Sequence, residues 1–232
     1  MKKNLLFLLV ILAVTACQRD KSNADVNAAE TTTFFAQYYV RYLQEEQQIK
    51  AHVAFYEGDS LPTARPIEFT DEVIFQGNTM QARQLPPRTV RYIYNGVGEY
   101  AQNGFTFQYQ DNTGKTQGQQ LQMAPIEDFS LNPGASRSKG MELVLKGASF
   151  LANESLVLLF TNLANNQVYS IEYKGLIDNP LFIAPEEMGA LIPGKYQLYL
   201  VKKQTTTINA ANKEITSEIE FYTKTKEVQI GK

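Results

Sequence analysis

Residues 49–56 read Ile-Lys-Ala-His-Val-Ala-Phe-Tyr, and this stretch decides the fold class. Apolar side chains recur at every second position, at Ile49, Ala51, Val53 and Phe55. Successive side chains of a β-strand point to opposite faces of a sheet, so a period of two indicates a strand with one buried face. The stretch therefore predicts a half-buried β-strand.

Residues 34–43, which precede this strand, are dense in aromatic side chains and fit either a helical stripe or a strand. The aromatic density and Val40 favour a strand, because aromatic and β-branched residues are enriched in sheets. Turn sequences such as Asn95-Gly96 and Asn103-Gly104 separate further segments of this kind. Strands are therefore predicted at residues 73–75, 89–94 and 105–109, with a hairpin loop at residues 111–118.

The pattern restarts near residues 123–125, where we place a domain boundary. Pro180, Pro185 and Pro193 interrupt a long connection in the second block and argue against a helix there. Short strands with turn signals about every eight to twelve residues are typical of β-sandwiches. The second block is predicted to contain strands at residues 141–146, 156–160, 168–173, 196–202 and 215–223.

The second block also carries turn signals in a definite order: Ile126 and Phe129, Asn132-Pro133-Gly134, Gly140, an alternating strand from residue 141, Gly147-Ala148-Ser149-Phe150, and Ile192-Pro193-Gly194-Lys195-Tyr196. This order resembles an immunoglobulin-like IPT/TIG domain over most of residues 125–232. It departs from that family in an insertion at residues 205–214 and in extra final strands. The resemblance implies adhesion, spacing or protein contact, and no particular ligand.

The N-terminus has the features of an export signal. Lys2 and Lys3 precede an apolar run at residues 5–12, which is too short to span a bilayer, and small and β-branched residues follow. Val14-Thr15-Ala16-Cys17 resembles the lipobox of bacterial lipoproteins, which implies that Cys17 is lipidated and becomes the mature N-terminus. The alternative is a secreted protein whose Cys17 only happens to lie near the cleavage site.

Residues 17–33 are predicted to be a lipidated flexible tether, because residues 18–33 are polar and lack apolar periodicity. Gln18-Arg19-Asp20-Lys21 is loosely similar to the charged export signal of Bacteroidota surface lipoproteins. That resemblance implies a lipid anchor in the outer membrane, facing either the periplasm or the cell surface.

The net charge limits the partners that the sequence supports, and the cysteine content limits its disulfides and metal sites. The chain has 22 Lys and Arg and 24 Asp and Glu, and loss of Lys2 and Lys3 with the signal leaves a mature net charge of −4. A mildly acidic chain gives no reason to expect nucleic acid, whose binding depends on cations that meet phosphates. With Cys17 lipidated, the sequence holds no further cysteine for a disulfide or a thiolate metal site.

Two features of the sequence give only weak support for cofactor binding or catalysis. Gly96-Val97-Gly98-Glu99-Tyr100-Ala101 fits the dinucleotide fingerprint, but a turn and a strand follow where a helix N-terminus should hold the pyrophosphate. We interpret these glycines as hairpin chemistry and predict no cofactor. His52 is the sole histidine and shares the polar face of Lys50, so we interpret it as a solvated or edge residue and predict no catalytic relay.

Paired acids could support glycoside hydrolysis if two carboxylates flanked one bond. Neighbouring residues on a strand point to opposite faces, so solvated loop acids are the preferred interpretation, and calcium held by loop carboxylates is the next. The sequence therefore predicts no catalytic residues and no metal. The four pairs are Glu45-Glu46, Asp71-Glu72, Glu127-Asp128 and Glu186-Glu187.

Aromatic content is the most informative feature for binding. The chain has 13 Tyr and 13 Phe but no Trp. An exposed tyrosine patch could bind glycan or protein, whereas core packing and cross-strand pairing are the favoured interpretation. Several tyrosines crowd the first predicted domain, among them Tyr38, Tyr42, Tyr92, Tyr94, Tyr100 and Tyr109.

The sequence thus predicts an all-β protein. A signal peptide (1–16) and the tether (17–33) precede two tandem immunoglobulin-like β-sandwich domains, at 34–124 and 125–232. The expected function is a lipid-anchored, non-catalytic binding or assembly module for an envelope protein or a polysaccharide. A structural spacer or subunit without a soluble ligand is the alternative, and a glycan-acting enzyme ranks last. The ligand-binding residues remain unassigned by sequence.

Overall fold

A computed structural model of the chain describes residues 32–86 and 89–232. The regular secondary structure of these residues consists of β-strands and one short 3-10 helix, which confirms the predicted all-β class. None of the helical structure in these ranges is long and apolar enough to cross a bilayer. The predicted signal peptide, the lipidation site Cys17 and residues 18–31 of the tether lie outside the described residues.

The strands are numbered in chain order, and the 3-10 helix (Leu61–Thr63) lies between the second and third. They are β1 (Thr33–Leu43), β2 (Gln48–Gly58), β3 (Arg65–Pro66), β4 (Ile74–Phe75), β5 (Asn78–Thr79), β6 (Gln81–Leu85), β7 (Thr89–Val97), β8 (Phe105–Gln110), β9 (Thr116–Leu121), β10 (Asp128–Leu131), β11 (Met141–Lys146), β12 (Glu154–Asn162), β13 (Val168–Lys174), β14 (Leu181–Ile183), β15 (Gly194–Ala210), β16 (Lys213–Tyr222) and β17 (Lys226–Ile230).

A large sheet forms one layer of the fold. Its strands follow the order β13-β12-β15-β16-β1-β2-β7-β6, with β17 paired to β15 and β3 paired to β2. β1 runs antiparallel to β2 and parallel to β16, with Val40 opposite Ile219. The alternation read in residues 49–56 is that of β2, in which Ile49, Ala51, Val53 and Phe55 are all buried.

Two smaller sheets supply the side chains that pack against the inner face of the large sheet. One has the order β5-β4-β8-β9 and the other β10-β11-β14. Phe107 of β8 packs edge-on against Tyr38 of β1, with ring centroids 5.0 Å apart. The buried side chains of all three sheets form one continuous apolar cluster, so the core is a sandwich with a shared layer.

The predicted boundary at 124/125 does not divide the described chain into two compact units. Residues 32–232 cluster as one unit, and the large sheet contains strands from both sides of the boundary. The physical reason is the β1–β16 ladder, in which ten residue pairs join the start of the fold to its end. The expected tandem arrangement is thus replaced by two halves built on one sheet.

Residues 205–214, where the sequence departs from the IPT/TIG pattern, continue β15 and turn into β16, and Ile208 lies opposite Ile215. One local prediction is corrected. The hairpin loop expected at 111–118 is shorter, because β9 begins at Thr116 and pairs with β8.

Candidate functional site

A pocket of about 310 Å³ opens at one end of the first half of the sandwich. Its walls come from the start of β1, the end of β2, the segment after β3, the β8–β9 hairpin and the turn between β15 and β16. We call it the aromatic–amide pocket. Its lining residues are Thr32, Phe34, Glu57, Ile67, Phe69, Tyr109, Asp111, Asn112, Gln117, Asn212 and Lys213.

Three aromatic rings form the apolar wall of this pocket. The Phe34 and Tyr109 rings are nearly parallel, with centroids 6.2 Å apart, and the Phe69 ring lies 4.9 Å from Tyr109. Phe55 is fully buried behind them and contacts all three rings, at 4.7 to 5.9 Å. The wall is therefore fixed by the core, which is the preorganisation that a binding surface needs.

Strand periodicity explains why these rings meet. Phe34 lies on the inner face of β1, two residues before the buried Ala36, and Tyr109 is the last inner residue of β8. Tyr109 is buried, whereas Phe34 and Phe69 are only partly buried. The sheets end here, so these last inner side chains line the opening, where the Phe34 and Tyr109 rings stack on each other.

The β8–β9 hairpin loop is held by one carboxylate. Asp111 accepts hydrogen bonds from the Thr113 hydroxyl and backbone N–H at 2.6 and 2.9 Å, from the Lys115 N–H at 3.1 Å, and from the Gln117 amide at 2.7 Å. The bonds from Thr113 and Gln117 lower the pKa of Asp111 to about 2. Asp111 therefore shapes the loop that presents Asn112 at the pocket rim.

The remaining rim is polar and carries both donors and acceptors. Asn112 and Asn212 are exposed side-chain amides from two different turns. Lys213 lies over the outer aromatic ring, with its ammonium 5.6 Å from the Phe34 centroid, and Glu57 forms an exposed ion pair with Arg65 at 3.2 Å. Each amide can donate and accept at once, which suits a ligand with hydroxyl groups.

The arrangement is chemically suited to recognition. Aromatic faces take the apolar C–H face of a ring-shaped ligand through dispersion contacts, and rim amides can orient its polar groups. Burial and the nearby Asp111 carboxylate raise the pKa of the Tyr109 hydroxyl to about 12, so this phenol stays neutral near pH 7. The Tyr109 hydroxyl is bonded to Tyr38 in the core, so the exposed rim amides are the groups that can meet the hydroxyl groups of a ligand.

The favoured interpretation of the tyrosines is confirmed. Tyr38, Tyr42, Tyr92 and Tyr109 are buried, and Tyr94 and Tyr100 pack against the same core. Sequence reasoning did not single out Phe34, Asn112 or Asn212 as binding residues. Asn112 lies in a recognisable turn, but no local signal places the β15–β16 turn beside it.

His52 lies where the sequence placed it, on the face opposite the buried residues of β2, but it is not simply solvated. Its ring stacks on Tyr39 with centroids 4.6 Å apart. Burial, together with the guanidinium groups of Arg91 and Arg41, lowers its pKa to about 4. The imidazole is therefore neutral at pH 7.

The four acid pairs are all exposed, as expected. Within residues 32–86 and 89–232, no group of three or more His, Cys, Asp or Glu side chains could hold a metal ion. The glycine motif at residues 96–101 is not a hairpin turn, because β7 and β8 belong to different sheets. It begins at the end of β7 and continues into the connection between the layers.

Comparison of the chain with protein-family models gives no match, and comparison with curated proteins gives none either.

Proposed function

We propose that this protein is a lipid-anchored envelope protein that binds a polysaccharide, without cleaving it, through the aromatic–amide pocket. The observation that carries the proposal is the juxtaposition of a fixed aromatic wall with exposed amides at one concave opening. A flat tyrosine patch would favour protein contact, whereas a concave site with rings and amides suits a sugar.

The pocket volume fits this assignment. A pocket of about 310 Å³ lies at the lower end of the range of small-molecule sites, roughly 300–1,000 Å³. Only a short part of a polymer would be held at a time. Anchoring many copies in one membrane would compensate for weak single contacts, because multivalent binding raises the effective concentration.

The anchor belongs to the proposal as well. Lipidation of Cys17 would confine the protein to the outer membrane, and Cys17→Ser should release it from the membrane fraction of its host. Continued sedimentation of the variant with membranes would refute the lipid anchor. Protease treatment of intact cells then distinguishes a surface location from a periplasmic one.

Affinity electrophoresis tests the binding function. The purified protein runs through native gels that contain a neutral glucan, galactan or mannan, and at least one polymer should retard it. An Asn112→Ala/Asn212→Ala variant should lose most of this retardation, while an Asn103→Ala/Asn132→Ala control, with the same number of exposed amides removed elsewhere, should keep it. The polymer should be recovered at its original length, and shortening of the polymer would contradict the non-catalytic assignment.

Assembly with an envelope protein is the second candidate, supported by the edge of the large sheet. β13 is the last strand on one side and pairs only with β12 among the described residues, and Val168 on it is 61% exposed. Such an edge can accept a strand from another chain. Val168→Lys should abolish co-purification of a partner if assembly is the function, and should leave polysaccharide binding unchanged.

A further inference from the structure

A second depression, of about 400 Å³, lies on the outer face of the large sheet. It forms where β1, β2 and β7 are neighbours, so its side chains stand on central strands and not on loops. Residues on rigid strands hold a ligand more accurately than loop residues do. Its polar lining residues are Tyr39, Arg41, Lys50, His52, Arg91 and Asn95.

Positive charge predominates in this depression. Three cations line it, at Arg41, Lys50 and Arg91, and among the described residues the nearest carboxylate that bonds its lining is Glu220, held by Tyr39 and Arg41. Arg83 of β6 lies directly opposite Arg91 in the ladder and extends the positive charge to the sheet edge.

Two of these cations lack an ion-pair partner in the described part of the chain. The Arg41 guanidinium is paired with Glu220 at 2.8 Å, but within residues 32–86 and 89–232 neither Lys50 nor Arg91 forms an ion pair. The Nε of Arg91 is buried and lacks a hydrogen-bond partner among the same residues. A buried donor without a partner is costly, and a guanidinium that lacks a carboxylate partner can donate charge-assisted hydrogen bonds to an oxyanion.

Neutral groups accompany the cations. His52 is held against Tyr39, and with its pKa lowered to about 4 it offers one donor and one acceptor at pH 7. Asn95, opposite Lys50 in the ladder, offers an amide with the same dual character. A site with both unpaired cations and dual donor–acceptor groups matches a ligand that carries an oxyanion beside hydroxyl groups.

Acidic residues on the rest of the outer face disfavour binding of a flat anionic surface, such as a membrane, to this depression. The neighbouring strand β16 carries Glu214, Glu218 and Glu220 on this face, opposite or beside the outer residues of β1. An anionic membrane surface lying on the sheet would contact these carboxylates, and like charges repel. A single anionic group that enters the depression would not.

We propose that this depression binds an acidic sugar, with Lys50 and Arg91 holding its carboxylate and His52 and Asn95 meeting its hydroxyl groups. The site differs from the aromatic–amide pocket in face, charge and ligand, and it does not depend on that pocket for its function. An acidic peptide is the competing ligand, since it shares the carboxylate but lacks the ring hydroxyls.

Calorimetric titration of the full-length protein in detergent tests the assignment. The probes are trigalacturonate, the neutral galactotriose and triglutamate, whose net charge equals that of trigalacturonate because its terminal carboxylate and ammonium cancel. Trigalacturonate should bind at least about tenfold more tightly than either of the other two, and its affinity should fall with added salt. Lys50→Gln should weaken it about fivefold and Arg91→Gln about tenfold or more.

Lys174→Gln is the matched control, because Lys174 lies on the same sheet face at the β13 edge and is 76% exposed. It should change the affinity less than about twofold. Equal binding of triglutamate, equal loss in Lys174→Gln, or no saturable binding of trigalacturonate would each overturn the proposal. Lys50 is exposed, so its variant keeps the test valid even if Arg91→Gln fails to fold. Neutral polysaccharide binding, measured on the same Lys50→Gln protein, should be unchanged.

Discussion

The Lys202 ammonium lies 3.0 Å from the Glu154 carboxylate, and the two side chains are 0% and 1% exposed. Lys202 also donates to the carbonyl oxygens of Ala124 and Ser149, at 2.9 and 2.6 Å. Ala124 is the last residue of the first predicted domain, whereas the other three belong to the second. This buried ion pair therefore ties the two halves of the described fold together.

Replacing Lys202 should destabilise the protein strongly. Burial lowers the pKa of Lys202 while Glu154 opposes that shift, so the charge of Lys202 depends on Glu154. Lys202→Met would leave the Glu154 carboxylate buried without its partner, at a cost of about 3–5 kcal/mol. Urea unfolding measures the loss. Lys174→Met, at an exposed pair, should cost less than about 1 kcal/mol, and equal losses in both variants would contradict the assigned role.

Unfolding should be a single cooperative transition for residues 32–232, because one sheet and one core span both halves. Phe107→Leu in the first half and Leu158→Ala in the second remove fully buried volume and should each cost about 1–4 kcal/mol. Calorimetry should show both variants lowering the midpoint of the same transition. Two resolved transitions, each sensitive to one variant only, would restore independent domains.

Glu220 should make stability depend on pH in the acidic range. Burial by itself raises its pKa, but bonds from the Tyr39 hydroxyl and Lys203 and the charge of Arg41 lower it from 4.5 to about 2. A carboxyl with a lowered pKa contributes stability above its unfolded pKa, and this contribution is lost as the pH falls through the folded value. Wild type should therefore exceed Glu220→Gln in stability at pH 6, by an amount that shrinks towards pH 3.

Urea titrations at several pH values measure that difference. The exposed Glu227→Gln serves as the control and should differ from wild type by a constant amount. A constant difference for Glu220→Gln would show that its carboxylate is not stabilised by these neighbours.

Alanine substitutions at two glycines distinguish the cost of backbone strain from the cost of steric overlap. Gly140 and Gly114 have φ values of +80° and +77°, so alanine at either position is strained by about 1 kcal/mol. A Cβ at Gly140 would lie 2.5 Å from the Ile183 carbonyl oxygen, whereas a Cβ at Gly114 meets nothing within 4 Å. Gly140→Ala should therefore cost about 1–3 kcal/mol more than Gly114→Ala in urea unfolding. Equal costs would contradict the close approach of β14.

Local periodicity predicted the strands that bury one face. Residues 141–146 were predicted with the bounds of β11, and β2 and β12 extend only a few residues beyond their predicted segments. β9 was missed because Thr-Gln-Gly-Gln-Gln-Leu has no apolar alternation, and only Leu121 in it is buried. Its pairing with β8, and not its own pattern, makes it a strand.

The shared sheet could not be predicted in this way. β1 pairs with β16, about 180 residues further along the chain, and a ladder between distant segments leaves no local signal in either. For the same reason, the aromatic–amide pocket could not be predicted from the sequence. Phe34 looks like an ordinary core residue, and only the long-range pairing brings Asn212 and Lys213 beside it.

The most direct test of the proposed function concerns the Phe34 ring. Affinity electrophoresis in the neutral polysaccharide that retards wild type should show binding about tenfold or more weaker for Phe34→Leu, which keeps an apolar side chain but removes the ring face. Phe182→Leu makes the same change at a phenylalanine that is 59% exposed outside the pocket, and it should bind like wild type. Retardation of Phe34→Leu equal to wild type, or no retardation of wild type by any polymer, would contradict polysaccharide binding at the aromatic–amide pocket.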